Sequence, residues 1–336
     1  MAQDRVRIAD VADSLGLSTA TVSKVIHGKT EKISDETVKR VQQELERSGY
    51  IPNMAAILLA RNNSKIIGVV VNDNEKYEGR VLEDGFVMAS INALSHEVNE
   101  KGYFLMIKTT SDISEIPVFA SMWNMDGLIL MGFCEADYEK LRNQMRISFV
   151  VYDGYFEKCS KVVNLVINHY DGGYHAGRYF RELGHKKALC IADNFICMDK
   201  ERIEGFSEAF GPGETLRWKI PRIEKERMRF YEDKYQALLE KNVTAVFAVS
   251  DFYALEFMRF LQGKNIRIPK DIQIIGFDDN MAGRESHPSL TTIHQEASLR
   301  AETAIKCLEA MRDGAECETE IVLPVELIKR ESTGEL

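Results

Sequence analysis

The sequence predicts an α/β protein in which a small all-α helix-turn-helix domain precedes a core of two doubly wound parallel-sheet lobes. Three observations support this class. The first fifty residues hold three short segments with helical apolar spacing. From Lys65 onward, short apolar runs alternate with longer amphipathic ones, which is typical of parallel strands joined by helices. The alternation occurs in two successive series, and a chain of 336 residues is long enough for both.

The first two helical segments have the spacing of a helix-turn-helix. The inner stripe of the first helix consists of Ile8, Val11, Ala12 and Leu15. Gly16 then breaks the helix. After Ser18, the residues Val22, Val25 and Ile26 fall at i, i+3 and i+4 and therefore pack inward. This spacing leaves one face free to meet a partner, with Thr19, Ala20, Ser23, Lys24 and His27 on it.

A third helix begins at the segment Ser34–Thr37. The Ser34 hydroxyl is an N-cap, and two acids follow it in the first turn, where the helix dipole favours negative charge. The inner face continues with Val38, Val41 and Leu45, and Gly49 ends the helix. Three helices of this size bury few apolar side chains, so we expect this domain to be tethered to a larger one.

The core contains two series of alternating strands and helices. In the first series the strands are predicted at Ile66–Val71, Tyr103–Ile107, Gly127–Met131 and Ser148–Val151, all as buried strands, with helices at 80–101, 115–124 and 135–145. The stretch Val162–Ile167 marks the passage to the second series. There a helix is predicted at Asp171–Leu183, with strands at Ala188–Ile191, Ala245–Val249 and Ile272–Phe277. Two such series predict a cleft between two lobes.

Local motifs make the chain resemble the LacI/GalR family of bacterial repressors. In the N-terminal part the motifs are Ile8–Ala12, Thr21–Val25, Tyr50–Asn53, Ala55-Ala56 and Leu59-Ala60. In the core they are Asp171–Gly173, Leu183–His185, Arg202–Phe206, Ser250-Asp251, Ile274–Asp279 and Pro288–Ile293. The resemblance covers nearly the whole chain. It implies a DNA-binding headpiece and a periplasmic-binding-protein-like core whose strands cross between lobes near Val162–Ile167, near Leu290–Ile293 and near Leu323.

The resemblance divides the chain into four parts. Residues 1–52 are expected to form the headpiece and 53–64 a hinge helix and linker. Residues 65–164 plus 292–322 are expected to form the N-terminal lobe of the core. Residues 165–291 plus 323–336 are expected to form its C-terminal lobe. For the hinge, an ordinary interdomain linker is the alternative.

The resemblance also implies that a homodimer binds a palindromic DNA operator. Base contacts are expected from Thr19, Ala20 and Lys24 in the major groove and from Leu59, which would wedge into the minor groove. Phosphate contacts are expected from Ser18, Thr21, Ser23, His27, Ser34, Thr37 and Asn53. The small side chain of Ala56 would let two hinge helices approach. Residues 1–64 carry a formal charge of about +1 against about −10 for the remainder, so hydroxyls and helix N-termini must supply much of the phosphate contact.

Polar residues at predicted strand ends suit a small-molecule effector. Asp153, Ser250 and Asp278 each follow a strand, and their oxygens can accept hydrogen bonds from ligand hydroxyls. Arg202 offers a planar donor fork, and the resemblance implies that Arg202 and Asp278 grip the effector. Asp278 could instead cap a loop, and Arg202 could be a solvated helix residue. The acids that we expect to be structural are Asp251, as an N-cap, and Asp171.

One loop departs from the family pattern. Asn72–Gly79 is charged and lacks the proline found in many relatives, so the effector's contacts with this lobe are not predicted. The aromatic residues that could stack on a ligand are Tyr77, Phe133, Tyr152 and Phe252, although such residues are more often core.

The resemblance implies a DNA-binding repressor controlled by a small polar metabolite, such as a sugar, a nucleoside or a sugar-like compound. An enzyme is not expected, because no dinucleotide, Walker, nucleophile-elbow or zinc-protease motif is present. No cofactor or metal is expected, since the six cysteines are scattered and form no CxxC pair. Without an apolar leader or membrane span, a bacterial cytoplasmic, nucleoid-associated location is expected. A solute-binding protein or an α/β enzyme on the same core fold is the alternative.

Overall fold

The computed structural model describes residues 6–51, 64–133, 141, 143–154, 162–211 and 215–334. The chain divides into two compact units, Met1–Ser64 and Lys65–Leu336. Among the described residues, no helix has both the length and the apolar character needed to cross a membrane.

The N-terminal unit is the expected helix-turn-helix followed by a third helix. Its helices are α1 (Ile8–Leu15), α2 (Thr19–Ile26) and α3 (Asp35–Ser48). The small shared core consists of Val11, Ala12, Val22, Val25 and Val41. Ser18 and Ser34 cap α2 and α3 by accepting backbone N–H groups three residues ahead. The left-handed conformation of Gly16 and Gly49, with φ of 65° and 63°, ends α1 and α3 as predicted.

The core elements alternate along the chain. The first are β1 (Ile66–Val71), α4 (Gly85–Glu100), β2 (Phe104–Thr109), α5 (Glu115–Met122), β3 (Gly127–Met131), β4 (Phe149–Tyr152) and β5 (Val162–Ile167), with short 3₁₀ turns at Glu75–Tyr77 and Val81–Glu83. Next come α6 (His169–Glu182), β6 (Ala188–Ala192), α7 (Cys197–Phe210), β7 (Thr215–Lys219), α8 (Glu224–Glu240), β8 (Ala245–Ala248), α9 (Asp251–Gly263), β9 (Gln273–Asp278) and α10 (Met281–Glu285). The last are β10 (Thr291–Gln295), α11 (Ala297–Arg312), β11 (Glu320–Leu323) and β12 (Val325–Ile328).

The strands form two six-stranded sheets, one in each lobe. Their orders are β11-β5-β4-β3-β1-β2 and β12-β10-β9-β8-β6-β7. Neighbouring strands are parallel except for β10 and β12, which are antiparallel. The apolar runs of β1, β3, β6 and β8 are buried along their whole length, because helices cover both faces of the sheets. The prediction of two doubly wound lobes is confirmed.

The chain crosses between the lobes later than predicted at two places. β5 pairs along its length with β4 and β11 in the first sheet, and β10 pairs with β9 and β12 in the second. The first two crossings therefore follow residues 167 and 295, rather than 164 and 291. A crossing inside a strand would break the hydrogen bonds between that strand and its neighbours, so the chain passes to the other lobe only after each strand ends. The third crossing separates β11 from β12.

Three further differences concern two edge strands and one helix. β2 is an edge strand and not a buried one, and its Phe104 is 55% exposed. The edge strand β7 was not predicted, because Thr215–Lys219 alternates polar and apolar residues in a short run. The helix α8 was also missed, although Met228, Tyr231 and Leu238 follow a helical spacing. Most of the helix predicted at 135–145 lies outside the described residues.

Candidate functional site

A cavity of about 180 Å³ lies between the two lobes of the core. It opens where parallel strands of both sheets end at their carboxyl ends, which is where doubly wound sheets bind ligands. The first lobe contributes residues that follow β1, β3 and β4, and the second lobe contributes residues at the ends of β6, β8 and β9. The polar residues among them include Asn72, Asp153, Asp193, Ser250 and Asp278. Three of the four predicted effector residues are among these, and the fourth, Arg202, also lines the cavity.

Arg202 is a buried member of the site rather than a solvated helix residue. Its side chain is 5% exposed, and its guanidinium carbon lies 3.6 Å from the centre of the Phe277 ring. Its Nε donates to Nδ1 of His169 at 3.1 Å, and its Nη1 donates to the carbonyl oxygen of Val249. Nη2 has no protein partner among these contacts, so it is the nitrogen best placed to donate to a ligand.

Glycines bring the helix that carries Arg202 against its neighbour. A Cβ atom on Gly173 of α6 would lie 1.9 Å from the Arg202 carbonyl oxygen, and one on Gly205 of α7 would lie 2.0 Å from the Tyr170 carbonyl oxygen. The backbones of α6 and α7 therefore touch at these two positions. The motif Asp171–Gly173 thus fixes the position of Arg202.

Asp153 lines the cavity, but its carboxylate already has two strong partners. It pairs with Arg300 at 2.7 Å and with Nε2 of His169 at 2.8 Å. Burial alone would raise the pKa of Asp153, but Arg300 and His169 outweigh burial and hold that pKa well below its usual range. Asp153 is therefore ionised, and it orients these two partners.

His169 joins the first lobe to Arg202. The Arg202 Nε is always a donor, so Nδ1 of His169 must accept and Nε2 must carry the proton that it donates to Asp153. Burial lowers the pKa of His169 to about 4, although Asp153 opposes the shift. The imidazole is therefore neutral near pH 7, with a single tautomer.

A second chain of hydrogen bonds leads from Arg300 to Asp278. Arg300, on α11, donates to Oε1 of Gln295 at 3.1 Å, and Nε2 of Gln295 donates to Asp278 at 2.8 Å. Sequence reasoning missed His169, Gln295 and Arg300. His169 and Gln295 stand directly at strand-to-helix crossings, which is the local signal that could have found them. Arg300 has no such signal, because it lies within a helix.

Asp278 ends β9 in an unusual backbone conformation. Its φ is 121°, which is rare for a residue with a side chain. Burial raises the pKa of Asp278 well above its ordinary value; Arg202 opposes the rise and Asp251 adds to it. The alternative of a loop cap is not supported, because Asn280 provides the cap of α10.

The neighbouring acids have structural roles, in one case a different role from the one expected. Ser250, not Asp251, is the N-cap of α9. Asp251 is fully buried and accepts hydrogen bonds from the Thr292 hydroxyl at 2.6 Å and from the Asn280 backbone at 2.9 Å. It therefore ties β10 to the loop after β9. Asp171 lies 3.6 Å from His175 on the surface of α6.

The aromatic candidates fall into two groups. Tyr77, Phe133 and Tyr152 line the cavity, whereas Phe252 packs against the hydrophobic core of the second lobe. Tyr253 also lines the cavity and was not predicted. The charged loop Asn72–Gly79 enters the cleft with its 3₁₀ turn.

The N-terminal unit presents the expected polar face on α2. Thr19, Ala20 and Lys24 are exposed, opposite the buried Val22 and Val25. The exposed or half-exposed hydroxyl and imidazole groups near the first turns of α2 and α3 and the end of α2 belong to Ser18, Thr21, Ser23, His27, Ser34 and Thr37. The predicted hinge residues Asn53, Ala56 and Leu59 lie outside the described residues.

Comparison with known proteins gives a consistent result along the chain. Residues 7–53 match the bacterial regulatory proteins of the lacI family, and residues 178–333 match a periplasmic binding protein-like domain. The HTH-type transcriptional repressor PurR of Pasteurella multocida is 31% identical over 340 residues, covering 97% of this chain and 98% of PurR.

Two solved structures share the fold. The Lac repressor dimer bound to operator and the anti-inducer ONPF superposes with a TM-score of 0.83 at 21% identity, covering 98% of this chain and 99% of the repressor. The complex of the transcriptional regulator CelR with cellobiose gives a TM-score of 0.68 at 22% identity, covering 98% and 100% of the two chains.

Proposed function

This chain belongs to the LacI family of bacterial regulatory proteins, and we propose that it is a repressor that binds a palindromic operator as a homodimer under the control of a small polar metabolite. The observation that carries the proposal is that one chain combines the exposed polar face of α2 with a cleft lined by Arg202 and Asp278. The PurR relative is named a repressor. The Lac repressor structure holds an operator, and the CelR structure holds a sugar.

In this proposal the headpiece is the part of the chain that binds DNA and recognises its sequence. Thr19, Ala20 and Lys24 contact bases in the major groove, with Lys24 the best candidate for a guanine. Leu59 and Ala56 belong to the proposed hinge in the minor groove. The phosphate contacts are assigned to Ser18, Thr21, Ser23, His27, Ser34, Thr37 and Asn53. Ser18 and Ser34 stand at helix N-termini, where the dipole favours anions.

The cleft is assigned the binding of a sugar or sugar-like effector. Asp278 and Ser250 accept hydrogen bonds from its hydroxyls, and the free edge of Arg202 donates to its oxygens. Asp153 contributes by holding Arg300 and His169 in place. No catalytic reaction is assigned to the cleft, and a cytoplasmic location follows from the proposed role on DNA.

Effector and operator are coupled through the orientation of the lobes. The effector shifts DNA affinity only by binding more tightly to one lobe orientation than to the other. That orientation sets the spacing of the two headpieces in the dimer. The proposal therefore requires linked affinities for effector and DNA.

The DNA-binding part is tested by capture of fragmented source-genome DNA on the purified protein at 100 mM and 300 mM salt. We expect a few enriched fragments that share a palindrome, with weaker capture at the higher salt. Lys24→Ala should abolish the enrichment, whereas Lys39→Ala, which alters an exposed lysine of α3, should leave the recovered palindrome unchanged. Enrichment that survives Lys24→Ala would contradict the assignment of α2.

The effector part is tested by adding, to the protein–operator complex, the metabolites on which the proteins encoded near the recovered sites act. A true effector changes operator affinity and raises the melting temperature of the wild type. Arg202→Met should remove both effects, and Arg178→Met, on the exposed side of α6, should remove neither. Equal responses from the two variants would refute the assignment of the cleft.

A further inference from the structure

The cleft contains a cationic side chain that no family motif predicted. Lys76 lies on the 3₁₀ turn Glu75–Tyr77 of the first lobe, where the Asn74 side chain accepts its backbone N–H at 3.2 Å. Its Nζ is 4.7 Å from the centre of the Tyr77 ring and 5.7 Å from that of Tyr253, which belongs to α9 of the second lobe. The ammonium group of the first lobe therefore reaches across the cleft to an aromatic ring of the second.

Carboxylates complete the surroundings of this ammonium group. Burial works against charge on Lys76, but the two tyrosines together with Asp193 and Asp84 raise its pKa well above the ordinary value. Burial raises the pKa values of Asp199 and Asp278, and Lys76 opposes that rise. We call this group of rings and carboxylates the cage; it consists of Tyr77, Tyr253, Asp193, Asp199 and Asp278.

Among the described residues, the five carboxylates that line the cavity, those of Asp84, Asp153, Asp193, Asp199 and Asp278, outnumber the guanidinium groups of Arg202, Arg222 and Arg300 beside them. Asp153 pairs with Arg300, and Asp193 lies 3.5 Å from Arg222. Asp199 and Asp278 receive neutral amide donors instead, from Asn194 at 2.7 Å and from Gln295 at 2.8 Å. Burial raises the pKa of Asp278 well above its ordinary value and so favours its neutral form, which leaves four carboxylates against three guanidinium groups in the described part of the cavity. Lys76 supplies the missing positive charge.

Two buried hydroxyls beside the cavity leave hydrogen-bonding capacity unused. The hydroxyl of Tyr253, whose side chain is 1% exposed, has no hydrogen-bond partner among the described residues, and the same is true of Tyr152 from the first lobe. Both tyrosines line the cavity. A buried hydroxyl without a partner costs free energy, so a polar ligand group that meets it gains that energy on binding.

We propose that the cage is a binding site for a primary ammonium group, filled by Lys76 when the cleft is empty and by an amino group of the effector when it is bound. This inference rests on the proposed function, because it assigns the chemical class of the same effector: a hydroxyl-bearing amine. A neutral ligand that displaced Lys76 would leave the carboxylates of the cage short of one positive charge. A ligand with an anionic group would add repulsion to the same carboxylates.

Chemical rescue tests the cage without knowledge of the effector. Lys76→Ala removes a butylammonium side chain, so n-butylammonium chloride should restore most of the lost melting temperature. The same concentration of n-butanol, with sodium chloride to match ionic strength, should restore little. Lys329→Ala is the matched control, because Lys329 is an exposed lysine 4.3 Å from the centre of the Tyr179 ring. That variant should show no rescue. Equal rescue by the alcohol, rescue of Lys329→Ala, or no loss and no rescue in Lys76→Ala would overturn the cage.

The effector class is tested with metabolites of the source cells separated by ion exchange. We expect the fraction retained by a cation exchanger to raise the melting temperature of the wild type, and to do so more in Lys76→Ala, where no lysine competes. A shift produced by the neutral or anionic fraction alone would refute this inference and keep the proposed function. A shift from no fraction, with operator capture intact, would count against effector control itself.

Discussion

Adding one methyl group at Gly173 should destabilise the core although alanine is the better helix former. The new Cβ would lie 1.9 Å from the carbonyl oxygen of Arg202, and the atoms next in distance are also Arg202 backbone. No flexible side chain can rotate away, so α6 and α7 must separate. The separation would also move Arg202 away from Nδ1 of His169.

The size of the effect follows from two opposing terms. Overpacking a core costs about 1–3 kcal/mol. Because the backbone must move to admit the new methyl group, we take about 3 kcal/mol for Gly173→Ala. Replacing glycine by alanine within a helix returns about 1 kcal/mol. The net loss is therefore about 2 kcal/mol, or roughly 4–8 °C in melting temperature for a domain of this size.

Thermal unfolding of the full chain, followed by circular dichroism, measures this loss. Gly263→Ala is the matched control, because Gly263 ends α9 and a Cβ there would meet nothing within 4 Å. The control should be as stable as the wild type or more stable by up to about 1 kcal/mol. If Gly173→Ala also matches or exceeds the wild type, the two helices do not touch as described.

Three further variants test other parts of the structure. Burial raises the pKa of Asp199 to about 6, so its ionisation lowers the stability of the folded state as pH rises from about 4 to 6. The free energy of unfolding of Asp199→Asn should therefore exceed that of the wild type by up to about 3 kcal/mol at pH 7.5. A difference of the same size at pH 4 would contradict this cause. Arg300→Met removes the cation that pairs with Asp153 and should lower the free energy of unfolding by about 3–5 kcal/mol in thermal or urea unfolding. The control Arg267→Met, at an exposed ion pair, should lower it by less than about 1 kcal/mol. Similar losses in the two variants would contradict the stabilising role of the buried Arg300–Asp153 pair. Ser34→Ala should weaken α3 by about 1 kcal/mol, measured by hydrogen exchange of its amides, and unchanged exchange would argue against the cap.

Local patterns were enough to predict the helix-turn-helix and most buried strands. Gly16, Ser18 and Ser34 act on the backbone within a few residues, so their effects can be read from spacing alone. The buried strands β1 and β3 are unbroken apolar runs because helices cover both faces of their sheet, so they too can be recognised from the local sequence. The edge strand β7 was missed because solvent on one side permits polar residues that hide the pattern.

Local patterns could not predict which side chains contact Arg202, Asp153 and Asp278 within the site. Arg202 and Asp278 were predicted because they match family motifs next to secondary-structure boundaries. Their neighbours Gln295 and Arg300 flank the second crossing, and only the folded topology brings them near Asp278 and Asp153. Lys76 was not predicted as a site residue for a different reason, because the side chains of a charged loop ordinarily point to solvent.

The crossings explain why a ligand in this cleft can affect the whole core. The first crossing ends at His169, which bonds to Asp153 of one lobe and Arg202 of the other. The second lies between Gln295 and Arg300, which continue to Asp278 and Asp153. Both chains of contacts span these crossings, so a rotation of one lobe against the other would stretch or break their hydrogen bonds. Under the proposed function, a ligand held by Arg202 and Asp278 would reinforce these contacts in the orientation that it fits, and this difference in affinity would couple the cleft to DNA.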